Sequence, residues 1–331
     1  MTLSRKSSYL YAFIKIKMDI DLWGKRCYTK RTNIENKFKG TAMKKKPTIA
    51  FMYDFDKTLC DQDMQDYAFI PNLNMSSEEF WGETEAFRKK NYMEGILGYM
   101  YYMKHKCDEK GIPFTKEYLR SLGQNINFYK GVQNWFKRIN QYGESIGVKI
   151  EHYVISSGIK DIIDGCAIKD EFKKIFACQY YFDESGEAVW PKIAINYTQK
   201  TQYIFRISKG IYDETDNKKV NEKMTDRVVA YNNMIYFGDG ITDIPCMTFV
   251  KKQGGISIAI YPKGKKNKVT NLLLDNRVNY ICPADYQEGS ELDSLIKCII
   301  QEMQLSHTLM LKQKQQKTRE SKKAEEAKAQ A

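Results

Sequence analysis

The chain has 331 residues, 42% hydrophobic and 13% aromatic, which excludes a largely disordered protein and supplies apolar side chains for a sizeable core. Its net charge of +12 invites a nucleic-acid reading, but residues 1–46 carry 13 Lys/Arg against 3 Asp/Glu and residues 306–331 carry 7 against 3, leaving the stretch between at about −2. No apolar run approaches the roughly 18 residues of a membrane span, and residues 1–30 lack the apolar centre and small-residue cleavage site of a secretory signal, so a soluble, intracellular, cytoplasmic protein is expected.

In chain order, residues 1–46 read as a basic extension in which IKIKMDIDLW alternates like a short strand. Met43 and its lysines lead straight into the first buried strand, TIAFMY at 48–53, so the preceding segment is expected to be dispensable or to lie upstream of the true start. A mitochondrial targeting segment competes with this reading, although Asp19 and Asp21 interrupt it. Residues 63–130 contain no convincing strand. Ser76 and Glu79 form a capping box opening SEEFWGETEAFRKK, and Gly111 and Pro113 close the second long helical stretch, NYMEGILGYMYYMKHKCDEK. Within it Met93, Ile96, Leu97, Met100 and Met103 fall at helical spacing, as an apolar face packed inside the segment would require.

Beyond residue 130, apolar runs and helical patterns alternate. Strands are expected at 148–155, 234–237, 256–261 and 278–282, and helices over GVQNWFKRINQ, DIIDGCAIKDEFKKI, KTQYIFRISKG and LDSLIKCIIQEM. FACQYYFDESGEAVWP reads as a small hairpin excursion around DESG. Residues 306–331 lack an apolar stripe and read as a charged, frayed tail. The fold class is therefore α/β: a Rossmann-like parallel sheet covered on both faces, with a core from 47–62 and 131–305 and a helical cap, 63–130, inserted after the first strand. The eight cysteines contain no C-x-x-C pair and the three histidines no H-x-x-x-H pattern, so reduced thiols are expected rather than disulfides or a zinc site.

In an open parallel sheet, ligands bind beyond the carboxyl ends of the strands. The first strand ends in Asp54, Asp56 and Thr58, the second in Ser156, Ser157 and Gly158, and the strand at 234–237 in GDGITD, with Asp239 and Asp243. Carboxylate pairs about 5 Å apart at an effective dielectric of about 20 repel by roughly 3 kcal/mol, so the cluster calls for a hard divalent cation, of which Mg²⁺ best fits an open oxygen site. Asp243 equally suits the N-cap of a helix beginning at Ile244-Pro245.

DFDKT, VISSG, a lysine-bearing helix start near NYTQKTQYIFRI, and GDGITD stand in the order of the haloacid dehalogenase superfamily of phosphohydrolases. Over about residues 47–290 the sequence resembles that family's phosphoserine phosphatase-like branch. The resemblance implies a Mg²⁺-dependent phosphatase acting on a small phosphomonoester. Asp54 is then the nucleophile that becomes an aspartyl-phosphate, and Asp56 the general acid and base whose carbonyl reaches the metal. Ser156, with Ser157 as the alternative, binds the phosphoryl oxygens beside Thr58 and Gly158. Lys200, or Lys209 in its place, faces the transferring group, and Asp239 and Asp243 complete the metal acids. Lys57 stands where the branch carries a small residue, and Asp63 where a substrate-reading glutamate is expected, so phosphoserine itself does not follow. Arg88, Lys89, Lys90, Trp81, Tyr99, Tyr101 and Tyr102 are the cap residues that could line the site, although surface solvation and packing within the cap account for them better. A phosphotransferase or phosphomutase using the same intermediate is the alternative. A membrane partner is not expected, and nucleic-acid binding through the basic ends is disfavoured because the stretch between them is near neutral.

Overall fold

The computed structural model describes residues 46–224 and 226–330; the expectations for residues 1–45 lie outside them. One sheet of seven strands organises the described residues: β1 (Thr48–Tyr53), β2 (Lys149–Ile159), β3 (Lys174–Phe182), β4 (Ala188–Ile193), β5 (Met234–Gly238), β6 (Ile256–Tyr261) and β7 (Tyr280–Pro283). Their order is β4-β3-β2-β1-β5-β6-β7. Every neighbouring pair is parallel except β3 and β4. β1 is buried from Ile49 to Tyr53 and β5 along its whole length, as strands covered on both faces must be. Tyr53 pairs with Val154 on one side and Phe237 on the other, so the ends of β1, β2 and β5 lie together at the centre of one sheet edge.

The helical expectation for 63–130 holds as a local description. Helices Met64–Tyr67, Phe69–Asn72, Ser77–Lys90, Gly95–Lys110 and Lys116–Leu122 lie between β1 and β2. The capping box at Ser76 is present, while the second long helix starts only at Gly95, because the Glu94 carboxylate accepts from the amides of Ile96 and Leu97. Met100 and Met103 are buried, whereas Leu97 turns outward. The segment is fastened to the far side of the sheet. Tyr180 Oη on β3 donates to the Met100 carbonyl (2.6 Å), Ala188 N at the start of β4 to the Phe114 carbonyl (3.0 Å), and Phe114 N to the Glu187 carboxylate (3.1 Å). Tyr99 Oη donates to the Ser157 carbonyl on β2 at 2.5 Å.

Three expectations change. The stretch 161–175 is not one helix: it breaks into Lys160–Asp164 and a short 3₁₀ turn, Lys169–Glu171, and Lys174 already belongs to β3. The first helix ends at Gly165, where only glycine fits: its backbone is pressed so closely on the Arg120 carbonyl that an added Cβ would lie 1.8 Å from that oxygen. FACQYYF is not an excursion but an integral strand parallel to β2, and only β4 turns back beside it. The C-terminal tail continues the helix Glu291–Gln330 without a break, its Lys, Glu, Gln and Ala residues being strong helix formers and Lys323 pairing with Glu320. Among the described residues all seven cysteines are free, and no helix is long and apolar enough to cross a membrane.

Candidate active site

The sheet edge is built by short segments that leave β1, β2 and β5. Asp54 follows β1 directly, and its amide donates to the Phe237 carbonyl at 2.8 Å, locking it beside the end of β5. β2 continues through Ser156 and Gly158 to Ile159, with its register to β3 shifting between Ile155 and Ile159. That irregularity brings Gly158 against the β1 loop, where an added Cβ would meet Met64 Cε at 2.1 Å and Asp56 Oδ2 at 3.0 Å. After β5, Ile241–Asp243 form one 3₁₀ turn that runs into the helix Ile244–Lys252, with Pro245 in its first turn. Asp243 makes no side-chain cap bond to that helix; its carboxylate points into the site instead.

Lys200 opens the helix Lys200–Lys209 and is almost completely buried. Its Nζ donates to Asp54 Oδ1 at 2.9 Å and to Asp243 Oδ1 at 2.8 Å. Asp54, Asp239 and Asp243 each offer one carboxylate oxygen, and these oxygens lie within 4.8 Å of one another. Asp56 accepts from the Met64 amide at 2.9 Å. Ser156 is buried, its Oγ accepting from Gly158 N at 2.9 Å. Asp54, Asp56, Ser156, Lys200 and Asp239 face a cavity of about 370 Å³ walled further by Lys57, Asp63, Gln65, Trp81, Ile96, Tyr99, Ser157, Tyr197 and the 240–242 turn.

Residues 49–264 match the family described as Putative Phosphatase. The chain belongs to this phosphatase family. It is also 28% identical over 273 residues to an uncharacterized protein of Borreliella burgdorferi, covering 74% of this chain and 93% of that one. Among solved structures, a HAD family hydrolase of Salmonella enterica serovar Typhi superposes with a TM-score of 0.50 at 14% identity, covering 77% of this chain and 72% of the other, which shows the shared fold. An apo phosphoserine phosphatase superposes with a TM-score of 0.48 at 14% identity, over 76% of this chain and 98% of that one.

The electrostatics of the phosphatase cavity follow from burial and like charge. Burial, then the neighbouring Asp243 carboxylate, push Asp54 up to about 7 in spite of Lys200. Burial with Asp243 and Asp54 pushes Asp239 up to about 8. Asp56 is raised by burial and by Asp63 and Asp54. Burial works against the Lys200 ammonium, but Asp243 and Asp54 outweigh it and hold the group above its ordinary range. Crowded carboxylates that favour protons in the absence of a cation are the donor set expected for a hard divalent ion. Asp54, Asp239 and Asp243 therefore fit the metal that the sequence calls for.

Of the expected site residues, Asp54, Asp56, Ser156, Ser157, Gly158, Lys200 and Asp239 line the cavity, and Asp243 stands behind it through Lys200. Thr58 is not on the wall; it is fully buried, and its carbonyl accepts from Tyr286 Oη at 2.7 Å. Lys209 lies elsewhere, donating to the Val220 and Glu222 carbonyls. From the helical segment Trp81 and Tyr99 reach the wall, but Arg88 and Lys89 pair with Glu85, Tyr101 stacks on Phe87 and Tyr102 donates to Glu83. Sequence reasoning did not single out Gln65, Tyr197 or Tyr236. Tyr236 carried a signal, being the sole polar side chain in the strand MIYFG, which leads into the acidic turn.

Proposed function

We propose that the chain is a Mg²⁺-dependent phosphomonoesterase that hydrolyses a small phosphorylated metabolite through an aspartyl-phosphate on Asp54. The observation that carries this reading is the placement of Asp54: one carboxylate oxygen 2.9 Å from a buried lysine, within an acidic cluster, on a cavity wall that also presents Asp56 and Ser156. In the proposed reaction Asp54 attacks phosphorus as the ester P–O bond breaks, and Asp56 gives its proton to the leaving alcohol. Asp56 then takes a proton from water as that water attacks the phosphoryl group, returning Asp54 as a carboxylate and releasing inorganic phosphate. Lys200 and the Ser156 hydroxyl hold non-bridging oxygens, where charge is spread in the transition state. Bound among Asp54, Asp239 and Asp243, Mg²⁺ supplies the positive charge that lets an anionic ester sit beside three acids.

Residues 63–130 act as a cap in this reading, with Trp81, Ile96 and Tyr99 excluding bulk water and selecting the leaving group. Free buried thiols fit a reducing compartment, which we take to be the cytoplasm. The test is labelled phosphate transfer from an aryl phosphate. Asp56→Asn is expected to trap an acid-stable phosphoenzyme on Asp54, and Asp54→Asn to form none; label recovered on any other residue refutes the mechanism.

A further inference from the structure

We infer that Tyr236 is a positioning residue of this site, its phenol fixing the Asp243 carboxylate in the orientation from which Asp54, Asp239 and Asp243 close on one cation. The inference rests on the metal-dependent reading above and assigns a task within it to a residue outside the acidic motif. Tyr236 is fully buried on β5, whose other residues are Met, Ile, Phe and Gly. An apolar ring would fill such a strand position equally well, so the hydroxyl needs its own account.

Its partner supplies one. Tyr236 Oη donates to Asp243 Oδ1 at 2.8 Å, the oxygen that also accepts from Lys200 Nζ at 2.8 Å. The other oxygen, Oδ2, receives among the described residues only the Asp239 amide, at 3.3 Å. Lys200 cannot fix Asp243 alone, because its ammonium on a four-carbon stem is shared with Asp54 at 2.9 Å. The phenol is held by a β-strand and has no comparable freedom. Gly238 completes the seat: a Cβ there would lie 2.5 Å from Asp243 Oδ2 and 2.6 Å from its Cγ. The carboxylate is thus set against a strand that leaves it room at 238 and grips it from 236. Hydrogen bonds of this kind, one step behind a metal-binding acid, typically change metal affinity about 10- to 100-fold when removed.

The experiment titrates Mg²⁺ alone into the full chain by calorimetry and measures aryl phosphate turnover against Mg²⁺ concentration. Tyr236→Phe deletes one oxygen atom. The expected result is an Mg²⁺ dissociation constant raised about 10-fold. The Mg²⁺ needed for half-maximal rate should rise by the same factor, while kcat at saturating Mg²⁺ stays within about 3-fold of the parent, a split that a general loss of packing would not produce. In an Asp243→Asn background, Tyr236→Phe should add nothing further to the change in Mg²⁺ affinity. Gly238→Ala, which presses on the Asp243 carboxylate directly, should weaken Mg²⁺ binding in the same way and serves if the Phe variant does not fold. Unchanged Mg²⁺ affinity in either folded variant overturns the role of Tyr236 and leaves the phosphatase reading standing. A parent chain that binds no Mg²⁺ overturns the metal reading and this inference with it.

Discussion

Replacing Lys200 by Met keeps the length of the stem and removes the charge between Asp54 and Asp243. At 2.8–2.9 Å and an effective dielectric of about 20, each of its two contacts is worth about 6 kcal/mol of Coulomb attraction, against at least roughly 3.5 kcal/mol of repulsion for each pair of acids whose oxygens lie within 4.8 Å. Desolvation offsets most of the attraction, and breaking a buried ion pair from one side costs about 3–5 kcal/mol. At about 2 cal/mol/K of unfolding entropy per residue, that corresponds for a chain of this size to a melting temperature lower by roughly 4–8 °C when metal is absent. Added Mg²⁺ should recover part of the loss, because it restores positive charge to the same carboxylates. Turnover should fall about 10²- to 10³-fold even at saturating Mg²⁺, as for loss of one donor facing the transition state. Lys209→Met is the matched control. It forfeits two bonds, to the Val220 and Glu222 carbonyls, and should cost about 1–3 kcal/mol of stability that Mg²⁺ does not recover, with undiminished turnover. Thermal unfolding with and without Mg²⁺, together with phosphate release, decides the matter. A Lys200→Met chain that melts within about 2 °C of the parent and turns over at the parental rate refutes the assignment of the lysine.

A chelator in excess should abolish aryl phosphate hydrolysis, and full activity in a chain shown by elemental analysis to hold no metal would contradict the role given to Asp54, Asp239 and Asp243. Gly158→Ala should destabilise the fold by about 1–3 kcal/mol, because its Cβ enters the space of Met64 and Asp56, and Met64→Ala should relieve part of that strain in a double variant; denaturant melts of the four chains measure the coupling. Acid should weaken the fold through His152, which burial holds down to about 3. The unfolded chain protonates this imidazole first, so its contribution is complete above a pH of about 6.5 and falls toward pH 3, with about 1.4 kcal/mol lost by about pH 5.5. Because Asp54 and Asp239, raised to about 7 and about 8, act in the opposite sense as they take up protons, the measure is the difference between parent and His152→Phe: urea midpoints at about pH 7.5, 6.5 and 5.5 should show the parent losing about 1.4 kcal/mol relative to the variant by the lowest pH.

What the sequence disclosed followed from how locally each signal is encoded. Continuous apolar runs marked β1, β5 and β6 because those strands are buried on both faces, and their polar exits marked Asp54 and Asp239. Lys200 was distinguishable from Lys209 by its place at a helix start, and the two buried ion pairs put it at the site. The stretch 161–175 misled because helical spacing says nothing of the neighbours it packs on: Gly165 lies against the Arg120 carbonyl, and Lys174 already pairs in β3. Thr58 misled for a related reason: membership in a motif fixes its place in the chain, while burial beneath Tyr286 decides what it can touch. Tyr197 and Gln65 reach the cavity only through tertiary packing and carry no pattern of their own.

The bonds that fasten residues 63–130 to the β3–β4 hairpin bear on how such a chain can be recombined. Met100 and Phe114 present main-chain carbonyls to Tyr180 and Ala188, and the Phe114 amide is answered by the Glu187 side chain. A helical segment exchanged between relatives by itself would arrive with main-chain groups whose partners sit more than sixty residues further along the chain, and buried groups left without them are costly. Residues 63–130 and 174–193, though β2 lies between them in the sequence, therefore form one unit of inheritance: a chimaera that takes both from the same parent keeps its seams matched, and one that takes them from different parents has to mend them.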